Sequence, residues 1–444
     1  MAITHASNPA GIQKPQSRAR WWVLSVLFFI TIINYADRAT ISIAGPAISK
    51  ELGLNSVSMG YIFSAFGWAY VMAQLPGGWL LDKFGSKKVY AFSIFFWSVF
   101  TLMQGAVGFF TGALALGLLF ALRFLVGAAE APSFPANSRI VAAWFPANER
   151  GTASAIFNSA QYAATVLFAP LMGWLVHSFG WHYVFVVMGV LGICFLFVWN
   201  RFVWAPTQHP TMSKSELDYI AEGGALVHLD QPGVKTEGPN LHYIKQLLKN
   251  RMMVGIYVAQ YCINAITYFF ITWFPVYLVQ ARGMSILKAG FVASVPAVCG
   301  FIGGILGGIL SDWLLRKNYS LSVARKVPIV VGMLLSMSII ICNYTDSEVL
   351  VVAFMAVAFF GKGLGALGWA VNSDTAPKQI SGLSGGLLNT CGNLSSITTP
   401  IAIGYIVDGT GSFNGALVYV GLHAAVAMAC YLFVVGEIKR VELT

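Results

Sequence analysis

Twelve stretches of roughly 20 mainly apolar residues recur along this chain, each long enough to cross the hydrocarbon core of a bilayer as a helix. We place them at 21–43, 58–80, 89–109, 112–134, 152–176 and 182–203, then at 252–279, 288–313, 327–343, 349–374, 383–407 and 414–436. The composition agrees: of 444 residues, 57% are apolar and only 10% charged, with a mean hydropathy of +0.70. The class is therefore an all-α protein that crosses a membrane many times. Residues 1–20 are polar and basic, and the next stretch carries Asp37 and Arg38 with no small-residue cleavage site, so we expect no removable signal peptide.

The net charge of +10 could point to nucleic acid, but the positions of the positive residues decide otherwise. Of 27 Lys and Arg, Lys50, Arg282 and Lys288 fall outside if the N-terminus is cytoplasmic, and Arg38, Arg123 and Lys362 lie within spans. The remaining 21, including Lys83, Lys87, Lys88, Arg316, Lys317, Arg325 and Lys326, lie on the N-terminal side. The positive-inside rule then puts both termini in the cytoplasm of a multi-pass inner-membrane protein, and leaves no excess charge for a nucleic acid to explain.

Cys194, Cys262, Cys299, Cys342, Cys391 and Cys430 all fall in or at the ends of apolar spans without C-x-x-C spacing, which argues against disulfides and metal sites. The longest polar stretch, 204–250, holds Pro206, Pro210, Pro232 and Pro239, a short helical pattern at 213–225 and nearly balanced charge. It reads as a cytoplasmic linker. The expected organisation is a tail over 1–20, a bundle over 21–203, the linker over 204–250, a second bundle over 251–436 and a tail over 437–444.

The two halves repeat. Gly77-Gly78-Trp79-Leu80-Leu81-Asp82 recurs 230 residues later as Gly307-Gly308-Ile309-Leu310-Ser311-Asp312. Asn158 and Gly173 recur as Asn389 and Gly404 at an offset of 231, and Pro170 as Pro400 at 230. Six spans per half, each with a glycine-rich turn and a basic cluster after its second span, resemble the major facilitator superfamily, whose loop signature is matched by Gly77 to Val89. The glycines let helices approach closely, and Asp82 can cap a helix or pair with a basic side chain across the halves. We expect Asp82, with the weaker echo Asp312 and Arg316, to act in gating; for Lys87 and Lys88, anchoring at a tight turn is an equally good reading.

Five charged residues lie inside the spans: Asp37, Arg38, Arg123, Glu130 and Lys362. Unpaired at the bilayer centre, they would together cost on the order of 12 to 18 kcal/mol. They must pair or line a watery cavity. Asp37 and Arg38 stand about 100° apart on one helix, and Arg123 and Glu130, two turns apart, share a face and stack a cation on a carboxylate. Structural ion pairs between helices are the competing reading. Lys362 lies too deep to snorkel comfortably, and Asp374, about three turns away, is a poor partner for it. With Arg38 and Arg123 it makes a set suited to an anion with more than one carboxylate, since Arg forks bind bidentately and Lys acts as a point charge. Gln260, Asn264 and Thr267 or Tyr268 form one polar stripe, Asn158 and Gln161 a second, and Asn389, Asn393 and Ser396 a third. Each is either cavity lining or interhelical glue.

At these residues the resemblance narrows to the anion:cation symporter family, and within it to bacterial glucarate and galactarate transporters. The stretches that carry it are N-Y-A-D-R-A-T at 34–40, G-Y-I-F-S-A-F-G-W-A-Y at 60–70, E-A-P-S-F-P-A-N-S-R-I-V-A-A-W-F-P at 130–146, Y-F-F-I-T-W-F-P-V-Y-L at 268–278 and F-F-G-K-G-L-G-A-L-G-W at 359–369. The resemblance implies proton-coupled uptake of sugar acids without a cofactor, with Asp37 and Glu130 carrying protons and Arg38 and Arg123 engaging substrate carboxylate. Tyr35, Tyr70, Gln161, Gln260, Trp369 and Asn389 match cavity-lining positions of that family. Lys362, Ala366 and Gly368 depart from the pattern of relatives that handle one carboxylate. The expected partners are a dicarboxylate sugar acid, protons and the lipid bilayer, and the expected state is a monomer. Other sugar-acid symport, organic-anion exchange and a transporter-like receptor are the alternatives; no H-E-x-x-H, no G-x-S-x-G and no clustered His supports an enzyme.

Overall fold

Glycine, asparagine and proline punctuate the apolar stretches. The structure, a computed structural model, describes residues 17–146, 149–230, 241–377 and 380–442. Most of the tail 1–20, the linker segment 231–240 with Pro232 and Pro239, and the last two residues of the tail 437–444 lie outside the described residues. Helix α1 (Ala19–Leu52) stops at Gly53, whose φ of +63° suits only glycine at low cost. Asn55 caps α2 (Ser56–Phe84) by accepting from the Ser58 amide at 2.9 Å. Gly85, at φ +82°, then turns the chain into α3 (Ser86–Gln104).

The remaining elements of the first half are α4 (Gly112–Glu130), α5 (Ser133–Trp144), α6 (Arg150–Phe179) and α7 (Trp181–Phe202). Linker helices α8 (Lys214–Glu222) and α9 (Leu241–Lys249) follow, α8 being capped by Ser213 as its sequence pattern suggests. The second half holds α10 (Arg251–Thr272), α11 (Phe274–Gln280), α12 (Ile286–Arg316), α13 (Leu321–Ser336), α14 (Glu348–Leu364), α15 (Gly368–Thr375), α16 (Ser381–Thr410) and α17 (Asn414–Ala429). Three spans are broken pairs. Pro132 separates α4 from α5, Pro275 follows the break between α10 and α11, and Gly365-Ala366-Leu367 separates α14 from α15. A proline lacks the amide a helix interior needs, and irregular backbone is tolerated at membrane depth only inside protein or beside water.

Among the described residues ten spans meet the length and apolarity of a membrane crossing. Helices α2 and α16, of 29 and 30 residues, are long enough but less apolar, and they complete the twelve. They pack on each other between the halves, as α6 and α12 do.

Glycine sets those contacts in a pseudo-symmetric way. On α2, a Cβ at Gly60 would lie 2.7 Å from the Pro400 carbonyl oxygen and 3.4 Å from the Gly404 Cα of α16. On α12, a Cβ at Gly290 would lie 2.6 Å from the Ala169 carbonyl oxygen and 3.2 Å from the Gly173 Cα of α6. Gly60 and Gly290 are 230 residues apart, Gly173 and Gly404 231. Both contacts lie at the end of the bundle away from the termini. There Trp273 Nε1 also donates to the Pro400 carbonyl at 3.1 Å, Phe63 packs edge-on against Trp273, and the Tyr61 and Tyr405 hydroxyls meet at 3.2 Å. The halves are thus closed against each other at the far end.

Gly290→Leu should hold that end apart. A bismaleimide that cross-links cysteines placed at Tyr61 and Tyr405 in the parent should then cross-link them at least about tenfold less, because a leucine side chain cannot enter a backbone-to-backbone contact without a shift worth a few kcal/mol.

Candidate functional site

The buried charges converge at mid-depth. Arg38, on α1, donates from Nε to Glu130 Oε2 at 2.9 Å, and its guanidinium carbon lies 4.8, 4.7 and 4.8 Å from the ring centroids of Tyr35, Phe66 and Tyr70. The cation is held by one carboxylate and three π faces. Glu130 is fully buried and Arg38 is 7% exposed.

The expected stacking of Arg123 on Glu130 is not the pairing observed. Arg123 instead donates from Nη2 to the Arg38 carbonyl oxygen at 2.7 Å and from Nη1 to the Asp37 carbonyl oxygen at 3.3 Å. Sharing a helix face fixes a direction and not a partner: α1 packs beside α4, so its Arg38 reaches Glu130 first, while carbonyls with a spare lone pair take the second guanidinium. Asp37 accepts from Thr101 Oγ1 on α3 at 2.6 Å through Oδ2, and its Oδ1 is buried without a partner among the described residues.

One cavity of about 340 Å³ lies between the halves beside this cluster. Tyr35, Arg38, Tyr70, Arg123, Gln161, Gln260, Asn264, Lys362, Trp369 and Asn389, all expected from sequence as substrate contacts, line it together. Asp37 and Glu130 are not among the residues that line it; Glu130 is paired with Arg38, which does. Lys362, 6% exposed and in the last turn of α14, has no carboxylate partner among the described residues; its Nζ lies 5.6 Å from the Tyr162 ring and 5.3 Å from the Phe359 ring. Asp374 pairs with Arg325 at 2.7 Å instead.

Sequence reasoning missed Tyr162, Phe66 and Thr101. Tyr162 comes from the first half and wedges its ring against Gly300 of the second, with Phe359 beside it. No spacing announces it, because a tyrosine next to Gln161 in an apolar helix is ordinary. The Tyr268 hydroxyl donates to Asn393 Oδ1 at 2.7 Å, and Asn393 Nδ2 donates to Asn389 Oδ1 at 3.0 Å, so two of the polar stripes are one network.

The amides of α10 owe their position to glycine. Gln260 donates to Asn264 Oδ1 at 3.2 Å, and the pair lies flat against Gly368 and Gly392. A Cβ on Gly368 would collide with Gln260 Oε1, and one on Gly392 would lie 2.5 Å from Asn264 Nδ2.

The expected gating residues sit far from the cavity. Asp82 pairs with Arg139 of its own half, which also meets Asp230 of the linker at 3.2 Å. Asp312 and Arg316 are exposed at the end of α12.

Two pseudo-symmetric helical halves enclosing one polar, charge-lined cavity at mid-membrane define a membrane transporter, not an enzyme. Residues 27–324 match the Major Facilitator Superfamily, and the chain belongs to that family. It is similar over 99% of both chains, at 65% identity, to the probable galactarate/D-glucarate transporter GudP of Escherichia coli (strain K12). It is 61% identical, over 97% of its length and 98% of the relative's, to the probable galactarate/D-glucarate transporter GarP of the same strain. Among solved structures, a bacterial homologue of the human lysosomal transporter Spinster, in an inward-facing and occupied conformation, superposes with a TM-score of 0.70 at 16% identity, over 94% of this chain and 97% of that one.

Gly368→Thr should push Gln260 and Asn264 into the cavity and lower substrate uptake by about tenfold or more, the scale of one or two misplaced groups in a pocket. Unchanged elution of the purified variant on size exclusion would locate the loss in the site rather than in folding.

Proposed function

We propose that this protein is a proton-coupled symporter that imports hexaric acids, D-glucarate and galactarate, by alternating access. The observation that carries the reading is that Lys362 of the second half and Arg38 and Arg123 of the first line one cavity, with ring faces against the lysine and no carboxylate partner for it among the described residues. A six-carbon chain with a carboxylate at each end suits two cationic walls. The names of the two relatives at 65% and 61% identity support the same substrate class.

Coupling to protons follows from charge. Importing a dianion against an interior negative by 100 mV costs about 4.6 kcal/mol. Two protons carried with it cancel that cost, and Asp37 and Glu130 are two buried carboxylates adjoining the arginines. In the proposed cycle, protonation of Glu130 from outside releases Arg38 to the substrate, and Asp37 acts likewise through α1 and Arg123. The halves rock, substrate leaves, and deprotonation restores the pair between Arg38 and Glu130. With the termini in the cytoplasm of an inner membrane, the closed far end faces outward. The protein works as a monomer whose halves are joined by the linker 204–250, and Asp82, Asp312 and Arg316 tune the closing of its cytoplasmic ends.

Uptake of labelled glucarate into vesicles under an imposed inward proton gradient, competed with galactarate, gluconate and glucuronate and checked with an uncoupler, tests the reading. Uncoupler-sensitive accumulation blocked best by galactarate is expected; gradient-independent exchange, or binding without accumulation, would overturn it. Glu130→Gln should lose proton-driven accumulation yet keep exchange of internal for external glucarate. Lys362→Met should weaken competition by galactarate about tenfold or more while changing that of gluconate little, since one charge-assisted contact is worth about 1.5 to 3 kcal/mol.

A further inference from the structure

The first half contains a second polar feature, separate from the cavity. Among the described residues, twelve have a buried side-chain nitrogen or oxygen without a hydrogen-bond partner, and ten of them belong to the first half. Six form a column on the terminal side of the ion pair: Asn34 of α1, Glu130 of α4, Ser133 and Asn137 of α5, and Tyr90 and Trp97 of α3. None of the six lines the substrate cavity.

Their spacing makes them continuous. Glu130, Ser133 and Asn137 follow at intervals of three and four along the broken span, and Asn34 and Thr31 lie on α1 one and two turns before Arg38. Asn137 Nδ2 donates to Thr31 Oγ1 at 3.0 Å, which joins the two helices, and the Tyr90 hydroxyl faces that pair. At 1.5 Å per residue, Asn137 lies about 10 Å from Glu130 toward the terminal end. Tyr90 is then only about 6 Å, one helical turn, from the start of α3.

Each buried polar atom left unpaired costs about 1 to 3 kcal/mol, so a cluster of this size would consume a domain's whole stability. Polar, enclosed sites of this kind are filled by internal water, and ionisable groups inside a membrane that meet such water mark proton relays. Glu130 stands at the junction: Oε2 accepts from Arg38 on the cavity side, and Oε1 is the oxygen left without a protein partner.

We propose that this column is the route by which Glu130 releases its proton toward the terminal side, through water ordered by Ser133, Asn137, Thr31 and Tyr90 and apart from the substrate cavity. The inference rests on the symport reading and adds to it the path. The O–H bond at Oε1 breaks, the proton passes along hydrogen-bonded water to the bulk beyond Tyr90, and the carboxylate left behind holds Arg38. Thr31, Asn137 and Tyr90 are positioning residues, since they touch neither substrate nor its carboxylates. Separate paths let the carrier discharge its proton whether or not substrate still fills the cavity.

The test uses the full chain in proteoliposomes with two readouts, glucarate uptake driven by an inward proton gradient and counterflow of labelled for unlabelled glucarate at equal pH, which needs no net proton release. Tyr90→Phe, which keeps the ring against Trp199, and Asn137→Leu should slow gradient-driven uptake by about tenfold or more, the lower range for an assisted proton transfer. Counterflow should stay within about twofold of the parent, and Thr31→Ser, which keeps the hydroxyl, should preserve both rates. Parallel loss of both rates in Tyr90→Phe would make the column merely structural, and unchanged gradient-driven uptake in both variants would send the proton through the cavity; either overturns the route. A parent indifferent to the gradient is a different result, which sinks the symport reading beneath it.

Discussion

Everything in this structure answers to the cost of holding charge inside lipid. Arg38 can stand at mid-membrane because Glu130 and three aromatic faces surround it, and Glu130 can stand there only because Arg38 does. Such a pair is a poor source of stability, since hydrophobic residues of equal volume would hold the helices as well. In the proposed cycle it serves as a switch, because adding one proton to the carboxylate would leave a cation in need of another anion, and a polar cavity lies beside it.

The second constraint is mechanical. The halves meet backbone to backbone at Gly60 with Gly404 and at Gly290 with Gly173, contacts that place no side chain of those glycines between the helices. Tyr162 complements them from the middle, lending a ring of the first half to Lys362 of the second, so the lysine's surroundings depend on how the halves sit.

Polarity is distributed unequally. The second half contributes amides, a tyrosine and one lysine to the cavity, most of them bonded to each other through Tyr268, Asn393 and Asn389. The first half holds the mid-depth carboxylates, both arginines and, among the described residues, nearly all of the buried polar atoms without partners. The carboxylates at mid-depth are thereby concentrated in one bundle, and the polar lining of the cavity is shared between the two.

What the chain determined by itself was whatever depends on local composition and spacing. Apolar length gave the spans, the offset of 230 to 231 residues gave two related halves, and the rarity of charge in lipid singled out Asp37, Arg38, Arg123, Glu130 and Lys362 before any fold was known. The ten residues expected at the cavity do line it, because a polar residue on an otherwise apolar membrane helix has few other places to face. Partnership was decided only in three dimensions. That Glu130 meets Arg38 and not Arg123, that Asp82 turns back to Arg139, and that Gln260 lies against Gly368 all depend on which helices adjoin and at what height. A helical period reports the face a residue occupies; it says nothing of the neighbour brought there by packing.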